Sequence, residues 1–437
     1  MKNKYHLVYD ASVLANEFSK NDARSGIFFV GKNLFHQLLK SDELKISLYC
    51  NYEKIPYIKR YLELYSINGV EIINECEFNL FHKMKYDLRI KKDSYSKRDH
   101  KFKRSFYSLL LLVVSFICKV HFSIYHFKKL NKNLSDVDFY LSPLNEVPNI
   151  VKKQKHIVSS VCLYDTIPLI YKNYYPQMFS GNYWFIDLIN NFSKDEIYFA
   201  ISESTKKDFL HYCPVLEDKQ ISVTYLGASD RFYQDTDLDK LKKIKDKYNI
   251  PQNGKYIFSL CTLDPRKNLI FAVKNFIEFV IKNEIDDLYF VLGGAAWKSF
   301  INKINEEIGG LGEYENKIVR AGYIDDEDLS CLYSNSFCFA CPSIYEGFGM
   351  PVLEAMQCGS AVITSNVSSL PEVIGDAGIQ IDPTSDDELV QAFEKYYYDE
   401  NYRKEMSQKG LERSKEFSWE KCSDVIVEKF ISTLKTR

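Results

Sequence analysis

The chain has 437 residues, more than one hydrophobic core normally serves, so two domains are expected. Its 46% hydrophobic and 27% charged residues are those of a globular protein, and a net charge of −2 gives no global electrostatic reason to expect nucleic acid as a partner. Eleven cysteines without regular spacing cannot pair completely, which excludes a full disulfide framework and points to a reducing compartment, the cytoplasm.

The opening MKNKYHLVYD runs straight into a strand pattern, so no signal peptide is expected. After the strand at 5–9, residues 26–40 have helical spacing, with Ile27, Val30, Leu34, Leu38 and Leu39 on one face. Further strands are predicted at 44–50, 70–73, 138–143, 156–165 and 196–202, the last three being apolar runs that end in a polar residue, as buried parallel strands do. Between them lies a basic tract of Lys83, Lys85, Arg89, Lys91, Lys92, Lys97, Arg98, Lys101, Lys103 and Arg104, against Asp87, Asp93 and Asp99. It leads into FYSLLLLVVSFIC, residues 106–118, which is too short to span a bilayer. A cationic run beside an apolar helix suits anionic lipid headgroups, so 83–118 is expected to touch a membrane surface; the alternative is a core helix behind a solvated loop.

From 256 the same programme restarts, with strands at 256–262, 288–294, 317–322, 337–343 and 361–364 and helices at 268–282, 326–334, from Pro351, and across 386–416. Two rounds of βαβα argue for an α/β protein of two doubly wound, Rossmann-like domains facing across a cleft. Residues 1–228 form the first, with a basic and apolar insertion at about 77–130; residues 229–416 form the second; the apolar stripe of 417–437 suits a helix packing back on the first. CFAC at 338–341 has no partner cysteine pair or histidine cluster at zinc spacing, so no metal is expected there.

Ligands of open parallel sheets sit beyond the carboxyl ends of strands. Gly26, Arg266 and Glu346 follow predicted strands, and Asp165 ends one. Arg266 and Lys267 stand at a strand-to-helix turn, where a planar fork and a point charge suit a diphosphate. In PSIYEGFGMPVLEAM, Glu346 and Glu354 lie eight positions apart, with Pro351 suited to the first helical position and Glu354 in the first turn. A carboxylate at each end of an amide cluster suits a ligand with hydroxyls at both ends and phosphates between, the shape of a nucleotide-diphosphate sugar.

The segments SLCTLDPRKN, VLGG, VRAGYIDDEDLSCLYSNS and PSIYEGFGMPVLEAMQCGSAVITS resemble the second domain of a family 4 glycosyltransferase of GT-B fold, over essentially all of 256–383. ARSGIFFVGKNL, LYDTIPLIY and FAISESTKKDFL are similar to segments of that family's first half. The resemblance implies sugar transfer from a nucleotide donor with retention and without an obligatory metal or other cofactor. It implies catalytic roles for Glu346, Arg266, Lys267 and Asp165, with Glu346 on the donor sugar, Glu354 on the ribose, and Arg266 and Lys267 on the diphosphate. Amides around Gly347, Phe348, Gly349, Met350, Pro351 and Val352 would touch sugar and phosphate, and Ala321, Tyr323 and Ile324 would line the base pocket. Gly26 would let the first-domain loop approach the phosphates. Many relatives carry a histidine where this chain has Tyr164, a poor base at neutral pH that can still donate a hydrogen bond to the donor.

The likeness to bacterial polysaccharide mannosyltransferases favours GDP-mannose, with UDP- and dTDP-sugars as alternatives, and a glycan or lipid-linked saccharide acceptor used at the inner face of the cytoplasmic membrane. An epimerase of the same fold and a non-catalytic sugar-nucleotide-binding subunit are the competing readings.

Overall fold

Apolar runs ending in polar residues become the strands of two parallel sheets. The computed structural model describes residues 4–18, 26–75, 101–121, 127–174, 184–260, 264–294 and 309–437, with residues 81, 84, 85, 87, 88, 91, 92 and 304. Among these, the first lobe is built on β1 (Tyr5–Asp10), β2 (Leu44–Tyr49), β3 (Glu71–Ile72), β4 (Phe139–Ser142), β5 (Val158–Leu163), β6 (Ile197–Ala200) and β7 (Ile221–Val223). The second lobe is built on β8 (Lys255–Leu260), β9 (Leu288–Gly293), β10 (Ile318–Gly322), β11 (Cys338–Cys341), β12 (Val362–Ser365) and β13 (Ile379–Ile381). The strand orders are β3-β2-β1-β4-β5-β6-β7 and β10-β9-β8-β11-β12-β13. All the pairings are parallel. In each sheet the order reverses beside the first strand, which opens a crevice between β1 and β4 and another between β8 and β11.

The strands are buried because helices cover both faces. On the helix Gly26–Leu38 the buried face is Phe28, Val30, Leu34, Phe35 and Leu38, whereas Ile27 and Leu39, expected on that face, are only partly covered. The two phenylalanines carry more apolar area and rotate the helix toward themselves. At its C-terminal end the chain crosses back: the helix Trp419–Thr436 buries Cys422, Ile426, Val427 and Phe430 among first-lobe residues, with Phe430 stacked on Phe139 at 4.7 Å and edge-on to Phe199 at 5.6 Å. A second shared core joins Val30 and Ile201 of the first lobe to Phe258, Leu332 and Phe348 of the second.

The helix Lys101–His121 stands between β3 and β4. Its inner side, Val114 and Cys118, packs with Leu88, while Phe106, Leu109, Leu112, Val113, Phe116, Ile117 and Val120 are exposed. That arrangement departs from the buried-core alternative. Among the described residues no helix is long and apolar enough to cross a membrane. Of the basic tract, Lys83, Arg89, Lys97 and Arg98 lie outside the described residues. The nine described cysteines are all buried, Cys338 and Cys341 within β11; Cys76 and Cys261 lie outside the described residues.

Candidate active site

The β8 and β11 strand ends bring three charged side chains together at the second sheet's crevice. Beyond β8, Asp264 accepts the Arg266 amide at 3.0 Å and so starts a tight turn over Pro265–Lys267, which Asn268 ends at φ 57°. Beyond β11, the Ile344 amide donates to the Arg266 carbonyl at 2.7 Å and ties the two loops. Glu346 then accepts Lys267 Nζ at 2.5 Å and Ser343 Oγ at 2.8 Å on Oε1, and Arg266 Nη1 at 3.1 Å on Oε2. Arg266 Nη1 also donates to the Tyr345 carbonyl at 2.9 Å. All three charged side chains are nearly buried, with exposures of 13% for Arg266, 12% for Lys267 and 9% for Glu346.

Burial alone would push the Glu346 carboxyl up, but Lys267, Arg266 and the Ser343 hydroxyl outweigh it and hold it below its ordinary value. Burial would likewise lower the Lys267 ammonium, and Glu346 reverses that. Glu346 and Lys267 are therefore both ionised at neutral pH, and Asp264 Oδ2 stands 3.3 Å from Arg266 Nε on the other side of the guanidinium.

After Glu346 the chain turns through Gly347, Phe348 and Gly349 into the helix Met350–Gln357. Gly349 has φ +100°, which disfavours any side chain, and its carbonyl takes the Val352 amide at 2.9 Å. Phe348 points into the shared core against Tyr225 and Phe417, so this segment offers backbone rather than side chain. The helix begins at Met350, one residue earlier than expected, and Glu354 falls beyond its first turn. Glu354 accepts the Tyr333 hydroxyl at 3.1 Å; burial raises its carboxyl to about 7 despite that bond and the nearby Arg231.

From the first lobe, Asp165 follows β5 and accepts the Ile167 amide at 3.0 Å, which fixes its turn. Burial raises its carboxyl, against the Ile167 amide, Arg266 and Lys267, with Glu346 adding to the rise; the side chain thus shares the cluster's field. Tyr164 does not join it. Its hydroxyl is buried beside Tyr9, Cys162 and Cys422 with no hydrogen-bond partner, because the ring packs into the apolar cores. Ile324 is likewise buried, against Gly293 and Leu260, so only its backbone could face a base, whereas Tyr323 is 74% exposed and Ala321 partly so. Gly26 starts its helix with open space where a Cβ would lie; the glycine demanded by packing is Gly31, where a Cβ would meet Val13 at 2.6 Å. Residues 23–25 and 261–263, parts of two motifs, lie outside the described residues.

Residues 241–413 match the family described as glycosyl transferases group 1. That match lies in the second lobe. The chain is 28% identical over 279 residues to the serotype-specific mannosyltransferase WbdA of Escherichia coli, covering 63% of this chain and 34% of that one. It is 31% identical over 224 residues to the O-antigen chain mannosyltransferase B of Escherichia coli, covering 51% and 57%. The chain thus spans about a third of the first relative's length and little over half of the second's. In structure it superposes on sucrose-phosphate synthase from Thermosynechococcus elongatus with a TM-score of 0.63 at 14% identity, over 99% of this chain and 100% of that one. The fold is GT-B.

Within this lobe, four partners were not anticipated: Asp264, Ser343, Tyr333 and Arg231. Ser343 and Asp264 sit inside the motifs already singled out, so their spacing was available. Tyr333 and Arg231 reach Glu354 from 21 and 123 positions away, and only the fold brings them there.

Proposed function

We propose that the protein is a metal-independent, retaining glycosyltransferase that moves mannose from GDP-mannose to a glycan or lipid-linked acceptor in bacterial surface polysaccharide synthesis. The observation that carries this reading is the Arg266–Glu346–Lys267 cluster at the crevice where the second sheet's order reverses. A nucleoside diphosphate gains negative charge as its bond to the sugar breaks, and a fixed guanidinium and ammonium stabilise that charge most where water is excluded. A carboxylate offers about four acceptor sites, so Glu346, which receives three hydrogen bonds here, keeps capacity for a sugar hydroxyl. Glu354, eight residues on, suits ribose hydroxyls, and the Gly347–Val352 backbone suits phosphate and sugar. Asp165 faces the cluster from the other lobe and suits the reacting sugar or the acceptor. The leaving phosphate itself takes the acceptor proton, which dispenses with a side-chain base at Tyr164.

Mannose is favoured because both relatives are named mannosyltransferases. A lipid-linked acceptor, and a peripheral position at the inner face of the cytoplasmic membrane, are supported by the exposed apolar side of the helix Lys101–His121.

The test is release of nucleoside diphosphate from GDP-, UDP- and dTDP-sugars, with and without EDTA. GDP-mannose at 100 times its Kd should also stabilise the protein by about 2.7 kcal/mol. Lys267→Ala and Glu346→Gln should each lower turnover by about 10²–10³. Unchanged turnover in folded Lys267→Ala protein rejects the site. Preference for another nucleotide moves the donor, and loss in EDTA restored by Mg²⁺ rejects metal independence.

A further inference from the structure

The loop that carries Glu346 is gripped by both lobes, through one helix of the first lobe. That helix, Glu203–Tyr212, follows β6 and has Ser202 as its N-cap, accepting the Thr205 amide. Its first two amides, Glu203 and Ser204, donate to the two carboxylate oxygens of Glu372 in the second lobe, each at 2.7 Å. Ser202 Oγ donates to the Gly347 carbonyl at 2.7 Å, and the Thr205 hydroxyl lies 3.1 Å from the same oxygen and 2.9 Å from the Tyr164 carbonyl. One turn on, Asp208 accepts the Tyr345 hydroxyl. The Glu372 segment grips the same loop from behind: Ser368 Oγ accepts the Glu346 amide and Ser369 Oγ donates to the Glu346 carbonyl, both at 2.9 Å. Gly347 allows this approach, since a Cβ there would stand 2.6 Å from the Tyr164 carbonyl oxygen.

We infer that Glu372 is a positioning residue that locks the lobes closed and thereby sets Glu346 against Asp165. A partly buried carboxylate on helix amides is favoured by the helix dipole, and this one comes from the opposite lobe. Tyr345, Glu346 and Gly347 are held by hydrogen bonds from the first lobe on one side and from Ser368 and Ser369 on the other. The nucleotide-facing groups, Arg266, Lys267 and Glu354, all lie in the second lobe, so opening the lock leaves them in place. What it disturbs is the register of the Glu346 loop against Asp165. A misplacement of about 1 Å at a reacting centre costs up to about a hundredfold in rate.

For its kinetic arm this inference rests on the transferase reading above; its scattering arm does not. Glu372→Ala removes both acceptors, while Glu372→Gln keeps one and serves as the conservative variant. Expected for Glu372→Ala are a kcat lowered about tenfold or more, a Kd for GDP within about threefold of wild type, and a larger radius of gyration by small-angle X-ray scattering. Glu372→Gln should fall between the two, and thermal melting of each variant checks that it is folded. Wild-type scattering and wild-type kcat in folded Glu372→Ala protein would overturn the lock. If the wild type releases no nucleoside diphosphate from any donor, the transferase reading fails, and scattering alone decides the lock: unchanged dimensions in Glu372→Ala reject it, expansion supports it.

Discussion

Glu354 sits in an environment that opposes its charge. Burial lifts its carboxyl to about 7 from an ordinary 4.5, even with Tyr333 donating and Arg231 nearby. A carboxyl raised in the folded state binds its proton more tightly there than in the unfolded chain. Stability is therefore lost as pH climbs from about 4.5 to about 7, and above 7 the loss is complete. Ionised, this carboxylate would accept ribose hydroxyls, the role proposed for it above. Glu354→Gln removes the ionisation and keeps an acceptor for Tyr333. We predict that the variant melts close to wild type at pH 5 and is more stable at pH 8, by about 2–3 kcal/mol, while binding GDP less well. Equal melting at both pH values, measured by calorimetry, would show that Glu354 is not held near 7. The contrast with Glu346 is instructive: both carboxyls are buried, but Glu346 has two cations within hydrogen-bond reach and stays ionised.

Elements long enough to show a period were legible, and so was the crevice they make. The strand–turn–helix units around Arg266 and Glu346 were anticipated from apolar runs and turn residues alone, because a parallel strand buried on both faces leaves a continuous apolar signature. What escaped were β7 and β13, strands of three residues each. Side-chain direction also escaped, as at Tyr164 and Ile324: both flank motif residues, yet their apolar bulk is worth more in the core than at the cleft. The helix Trp419–Thr436 shows the opposite case, since its stripe was readable but its destination was not decided by local pattern. Phe430 is fully buried between Phe139 and Phe199 of the first sheet. Phe430→Ala should cost about 3–5 kcal/mol, with faster amide exchange in β4 and β6 and little change in β8–β11. Uniform loss of protection across both sheets would mean that the two lobes unfold as one unit and that the helix is not a first-lobe element.

At the scale of the whole molecule, the unsolved term is an apolar helix face turned outward. Phe106, Leu109, Val113, Phe116 and Val120 recur at spacings of three and four along Lys101–His121, and Leu112 and Ile117 widen the stripe. Leu109 is 63% exposed, and Leu112 and Phe116 are each 68% exposed, so no described residue covers them. A stripe of this size marks an interaction site. Basic residues lead into it, Lys103 and Arg104 in its first turn, which matches the charge of an anionic lipid surface. The helix is not one that can cross a bilayer, so it would lie in the interface with the stripe downward. Two kinds of attraction should then separate by salt. Each basic residue engaged near the surface contributes about 1 kcal/mol and is screened as salt rises; each large apolar side chain buried in the acyl boundary contributes about 1.5–3 kcal/mol and is not. We predict co-sedimentation with vesicles of phosphatidylglycerol and phosphatidylethanolamine that weakens in 0.5 M NaCl without vanishing. Lys103→Glu with Arg104→Glu should remove the salt-sensitive part, and Leu112→Glu with Phe116→Glu should abolish binding at any salt while leaving transfer to a soluble acceptor intact. Equal sedimentation of the Leu112→Glu, Phe116→Glu variant and wild type would show that the stripe faces something other than lipid.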